Sequence, residues 1–142
     1  MIKKNKRVIC AIVFSLYLLI VLNLTIFRFN FYYDERQLNL SLFTDLIKIY
    51  RNGGIGEFFR LFLGNIGWFV PFGFLLPILS KRKSFIFTIA IGLVFSLFIE
   101  TTQFIFYKGV AELDDLILNV FGAAVGYLLY KMAQRFYKGK PQ

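Results

Sequence analysis

Apolar residues gather into four long runs separated by short polar breaks, and that alternation sets the outline of the chain. The first run extends from Val8 to about Phe27. About twenty residues at about 1.5 Å each reach about 30 Å, the thickness of a bilayer's hydrocarbon core. The others run from about Leu61 to Leu79, Ser84 to Tyr107 and Asp114 to Met132. The pattern predicts an all-α integral membrane protein with four transmembrane helices, over about 8–27, 61–79, 84–107 and 114–132. This membrane domain, 8–132, is flanked by short basic segments at 1–7 and 133–142. The only long polar connection runs from Arg28 to about Arg60. Its first part, Phe29 to Asn39, has no clear period and reads as loop. Leu42, Leu46 and Ile49 then recur at helical spacing opposite Asp45, Lys48 and Asn52. That spacing predicts a short interfacial helix between the first and second spans, lying in the interface or packed over the bundle mouth. Gly53, Gly54 and Gly56 end it.

The interruptions within the runs carry the candidate chemistry. The second run holds Asn65, Trp68 and the stretch Pro71-Phe-Gly73-Phe-Leu-Leu-Pro77. Each proline removes a backbone donor and crowds the preceding turn, which predicts a kink or partial unwinding. Carbonyls freed in that way need protein or water against them. In the third run Glu100, Gln103 and Tyr107 share one face at i, i+3 and i+7. The fourth opens on Asp114 and Asp115, and Asp115, Asn119, Gly122 and Gly126 follow one stripe, where the glycines let another helix approach closely. Carboxyl and carboxamide groups inside a membrane are costly and persist where they find partners or line a polar cavity. Asn65, Glu100, Gln103, Asp114, Asp115 and Asn119 are therefore the candidate polar cluster, and Pro71, Gly73, Pro77, Gly122 and Gly126 the candidate packing positions. For Asp114 the simplest role is capping the N-terminus of its own helix. Asp115 and Asn119 belong either to a structural network with Glu100, Gln103 and Asn65 or to the wall of a functional pocket.

Composition narrows this further. The 142 residues are 58% hydrophobic and include 19 Phe, and the mean hydropathy is +0.64. A soluble chain of that size has too little interior for so much apolar surface. With no His, Ser–His and Cys–His catalysis are excluded. A single cysteine, Cys10, leaves no internal disulfide and, without histidine, no basis for a zinc site. No cofactor is implied.

The net charge of +9 lies in blocks between apolar runs, which argues against nucleic acid as a partner and turns the charge into topology. Lys3, Lys4, Lys6, Arg7, Lys81, Arg82, Lys83, Lys131, Arg135, Lys138 and Lys140 fall on one side, with no acid among them. The positive-inside bias then predicts cytoplasmic termini and a polar cluster in the outer half of the membrane. There its carboxyl groups suit general acid–base work, a hard divalent cation held by a thin oxygen set, or a polar head group or sugar of the outer leaflet. Lys108 and Arg60 are the nearest counter-charges.

Three motifs in order, Asn65-Ile-Gly-Trp-Phe-Val-Pro-Phe-Gly-Phe-Leu-Leu-Pro77, Ser96-Leu-Phe-Ile-Glu100-Thr-Thr-Gln103 and Asp114-Asp115-Leu-Ile-Leu-Asn119-Val-Phe-Gly122 with Gly126, resemble the VanZ-like family of small bacterial multi-pass membrane proteins. The resemblance covers about Asn39 to Leu129. It implies a place in the bacterial cytoplasmic membrane and a role in envelope sensitivity to the glycopeptide antibiotic teicoplanin, with no established reaction. One departure stands out. The family usually carries an Arg in the turn before the Asp pair, and here that position is Gly109, with Lys108 next to it.

Three readings follow. The first is a non-enzymatic modulator of glycopeptide sensitivity that binds membrane lipid or a lipid-linked cell-wall precursor. The second is a membrane enzyme acting on an outer-leaflet substrate, with Glu100 as base and Asp115 as its partner or a metal ligand. The third is a transport or assembly protein, including a homo-oligomer, joined through the Gly122/Gly126 face.

Overall fold

A computed structural model of the chain describes residues 4–26 and 32–138. The expected helix end at Phe27, and the basic residues Lys3, Arg28 and Lys140, lie outside them. Among the described residues, α1 spans Lys4–Ile26, α2 Thr44–Arg51, α3 Ile55–Leu79, α4 Phe85–Ile105 and α5 Leu113–Lys138. Among these residues, four helices are long and apolar enough to cross a membrane: Asn5–Ile26, Ile55–Leu79, Phe85–Ile105 and Leu113–Tyr137. The short α2 lies between the first and second of these, as its 3.6-residue period requires.

Two stretches expected to be loop are paired instead. Strand β1, Gln37–Asn39, runs parallel to β2, Val110–Glu112, with Leu38 opposite Ala111. The pairing ties the connection after α1 to the turn between α4 and α5. It marks one end of the bundle, called here the strand end. At the other end, Arg7 Nη2 donates to the Leu79 carbonyl across 2.6 Å. Tyr127 donates its hydroxyl to the Lys83 carbonyl at 3.0 Å, so the start of α1, the 80–84 turn and the second half of α5 meet there.

Several boundaries differ from the sequence expectation. Gly53 takes φ +82 and ends α2, but Gly56 lies inside α3, which begins six residues before Leu61. The expected unwinding at the prolines is absent, since α3 is helical throughout Ile55–Leu79 with Pro71 and Pro77 inside it. A neighbouring helix supports this stretch, because the Tyr17 hydroxyl of α1 donates to the Trp68 carbonyl. In α5 the helix continues through the basic segment beyond Met132.

Close packing accompanies the unbroken α3. A methyl group built on Gly73 would lie 2.0 Å from the Ala123 carbonyl oxygen. The same construction puts Gly122 2.2 Å from the Ile66 oxygen and Gly126 2.1 Å from that of Val70. The backbones of α3 and α5 therefore touch along the glycine stripe, an approach that any side chain would forbid. The helix that Gly122 and Gly126 admit belongs to the same chain, so the homo-oligomer expected there has no free surface on that face. Beside this seam sits the core of Val21, Phe69, Phe72, Ile99 and Ala123. Phe72 and Phe95 stack there with ring centroids 5.4 Å apart.

A polar cavity at the strand end

A cavity of about 540 Å³ opens among the four long helices at the strand end. Helix α1 contributes Val21, Leu24 and Thr25, and α3 contributes Asn65, Trp68 and Phe69. Glu100 and Gln103 come from α4, Asp115 and Asn119 from α5. Tyr33 and Lys108 line it from the segments that lead into the two strands. Five of the six cluster residues predicted from sequence thus share one wall, and Asp114 does not.

Each of the five side chains is bonded to a neighbouring element. Asn65 donates its amide Nδ2 to Asp115 Oδ1, which links α3 to α5. Glu100, on the last turns of α4 and only 8% exposed, accepts from the Glu112 main-chain amide through Oε2 at 3.0 Å. Gln103 Nε2 donates to the Thr25 carbonyl of α1 at 3.1 Å. Asn119 turns away from the carboxyl groups and donates to Ser96 Oγ at 2.9 Å, both side chains being buried. Among the described residues no buried side-chain nitrogen or oxygen lacks a partner. The bonds from Asn65, Gln103 and Asn119 each take one of the two N–H donors of a carboxamide. The wall carries the carboxyl oxygens of Glu100 and Asp115 together with the Lys108 ammonium.

Asp114 corrects the capping expectation. Helix α5 begins at Leu113, so Asp114 already lies in its first turn. Its two carboxylate oxygens accept from the Phe43 main-chain amide at 2.8 and 3.0 Å. Phe43 is the N-cap residue of α2 and sits at φ 53, a left-handed conformation uncommon for a bulky side chain. Asp114 therefore anchors the start of another helix, 71 residues away in sequence.

The strand end is held by charge as well. Asn39 Nδ2 donates to Asp45 Oδ2 at 2.8 Å, and Lys48 pairs with Asp45 at 2.9 Å. The hydrogen bond from Lys48 and the charge of its ammonium hold the Asp45 carboxyl below its ordinary value, and the Asn39 bond adds to this. Burial pushes the Glu112 carboxyl up, and the nearby charges of Asp114 and Asp45 add to the shift.

The two expected counter-charges separate. Lys108 lines the cavity, with its ammonium 3.6 Å above the Tyr32 ring. Arg60 lies outside it and pairs with Glu57 at 3.2 Å. Tyr107 also leaves the expected face. It follows α4 at φ 58, and its ring meets the Arg36 guanidinium at 5.3 Å. Gly109, the position of the departure noted in the turn, packs against Gln103. A methyl group there would lie 3.1 Å from Gln103 Cδ, so a larger residue would require the Gln103 side chain to shift. Among the described residues no three acidic or cysteine side chains converge as a metal-ligand set.

Sequence reasoning missed Thr25, Tyr33 and Ser96. Thr25 is polar at the end of an apolar run and Ser96 lies one turn before Glu100, so both carried a faint signal. Tyr33 carried none.

Comparison with known proteins gives a consistent result. The VanZ/LLP1 family model matches residues 14–134. Protein VanZ of Enterococcus faecium is 34% identical over 127 residues, which cover 85% of this chain and 73% of that protein. No solved structure matches.

Proposed function

The chain belongs to the VanZ/LLP1 family, and from that premise we propose that this multi-pass membrane protein lowers the sensitivity of the bacterial envelope to glycopeptide antibiotics such as teicoplanin. In this reading it sits in the cytoplasmic membrane with both termini inside, as the basic blocks at 4–7, 81–83 and 131–138 favour. The cavity then faces the outer half of the membrane and takes a membrane lipid or a lipid-linked envelope component.

One observation carries the proposal. Asn65, Glu100, Gln103 and Asp115, from three different helices, line a single cavity of about 540 Å³ together with Trp68 and Leu24. Mixed apolar and polar walls of this size are the usual form of a small-molecule site. A second reading draws on the same wall. Glu100 and Asp115 in one cavity suit acid–base chemistry on an outer-leaflet substrate.

Teicoplanin susceptibility of a sensitive Gram-positive host tests both, with equal membrane levels of wild type and Glu100→Gln confirmed. Wild type protects if the proposal holds. Glu100→Gln retains an acceptor for the Glu112 amide but no acid–base capacity, so partial protection favours a binder and complete loss an enzyme. Absence of protection by wild type would remove the glycopeptide role.

A further inference from the structure

A second hollow of about 540 Å³ lies on the outside of α3, lined by Arg60, Leu61, Leu63, Gly64, Asn65, Gly67 and Trp68. Three of these, Leu61, Asn65 and Trp68, also line the polar cavity, so the two spaces meet across one wall of side chains. Arg60, Gly64 and Gly67 fall at i, i+4 and i+7 and share a helix face. Unlike the seam glycines, Gly64 and Gly67 face open space, with no atom within 4 Å of an added methyl group. Leu63 and Trp68 beside them are exposed where the chain meets lipid. The hollow is thus a trough on the lipid face, about 10 Å long from Arg60 to Gly67 at about 1.5 Å per residue. It is basic at the strand end, apolar below and polar at its inner edge.

Resting on the lipid-binding reading above, we propose that the ligand is a phosphate-bearing lipid that enters sideways through this trough. Its chain lies over Gly64 and Gly67, its phosphate stops at Arg60, and a hydrogen-bond-donating head group passes Asn65 into the cavity. The charges favour that order. The one cation among the residues lining the trough is Arg60, which pairs with Glu57 through one nitrogen at 3.2 Å and keeps the other donors of its fork for a phosphate. Beyond Asn65 the wall presents the carboxyl groups of Glu100 and Asp115. Lys108 also lines that cavity, with its ammonium over the Tyr32 ring, and Asn65, Gln103 and Asn119 each give one N–H to a protein acceptor. With two carboxyl groups against one ammonium, the wall answers an amine or hydroxyl group better than a second anion. A water-soluble ligand would have no use for a trough that opens onto lipid.

The test uses the full-length protein in vesicles containing a phosphatidylethanolamine with a photoreactive group in its acyl chain. Labelling should concentrate on residues 60–68, and unlabelled phosphatidylethanolamine should compete several-fold better than phosphatidic acid, which has the phosphate and chains without the amine. Gly67→Leu and, independently, Gly64→Leu fill open space and should keep wild-type thermal stability while cutting labelling at least fivefold. Arg60→Gln should weaken it as well. Labelling that is equal in the leucine variants, or spread evenly to other lipid-facing residues such as Ile86 and Phe121, overturns the proposal. So does equal competition by the soluble head group glycerophosphoethanolamine. Because the readout is lipid capture, it stands or falls separately from antibiotic protection.

Discussion

The main-chain amide of Glu112 donates to Oε2 of Glu100 across 3.0 Å, so the carboxyl group on the cavity wall is fastened to the strand that closes the bundle. Cavity and closure are therefore mechanically one unit. Glu100→Gln keeps an acceptor for that amide, and its thermal stability in detergent should stay close to wild type. Glu100→Ala leaves the amide unpaired in a part-buried site, a loss of about 1–3 kcal/mol. Equal melting temperatures for the two variants would contradict this coupling.

The glycine seam makes a sharper prediction. Gly122→Ala and Gly126→Ala each push a methyl group within about 2.2 Å of an α3 carbonyl oxygen. Backbone cannot yield as a side chain does, and each should destabilise the fold by about 3 kcal/mol or lose it in size-exclusion profiles. Gly64→Ala is the internal control. It meets nothing within 4 Å and should gain about 0.5–1 kcal/mol from helix preference alone.

Asp114 should matter to α2 rather than to its own helix. Asp114→Ala removes both acceptors of the Phe43 amide. Limited proteolysis should then cut faster within 40–54, while cleavage near the start of α5 stays at the wild-type rate. Faster cutting only around 113–116 would return Asp114 to a capping role.

Closure should respond to pH through Glu112. Its folded value is raised above the ordinary 4.5, so its contribution is full below 4.5 and disappears as pH rises through the raised value. Asp45, lowered from 3.8, works in the other sense, with its contribution present above 3.8 and lost as pH falls through the lowered value. The strand pair should thus be tightest in mild acid, between the two titrations. Hydrogen exchange at 110–112, corrected for intrinsic rates, should show protection falling from there towards neutral and basic pH. Glu112→Gln should flatten that slope, and an unchanged slope would assign the effect elsewhere.

These residues also show what the sequence made legible. The four spans could be read because lipid imposes length and apolarity on each one separately, with no knowledge of partners. Asn65, Glu100, Gln103 and Asp115 stood out for the same local reason, as polar groups in apolar helix. What escaped was long-range. Gln37–Asn39 and Val110–Glu112 are three residues each, too short for a strand period, and each is specified only by the other. The partner of Asp114 was invisible for that reason too. Pro71 and Pro77 suggested unwinding because sequence shows the donors they remove and hides the close α5 backbone beside Gly73.

The parallel strand pair has a consequence for synthesis. Residues 37–39 leave the ribosome about seventy residues before 110–112 exist to receive them. Phe43 likewise waits for Asp114. Three long helices can therefore be in the membrane before the strand pair that covers the cavity is able to form. A chain stopped after α4 would carry Glu100 and no means of enclosing it.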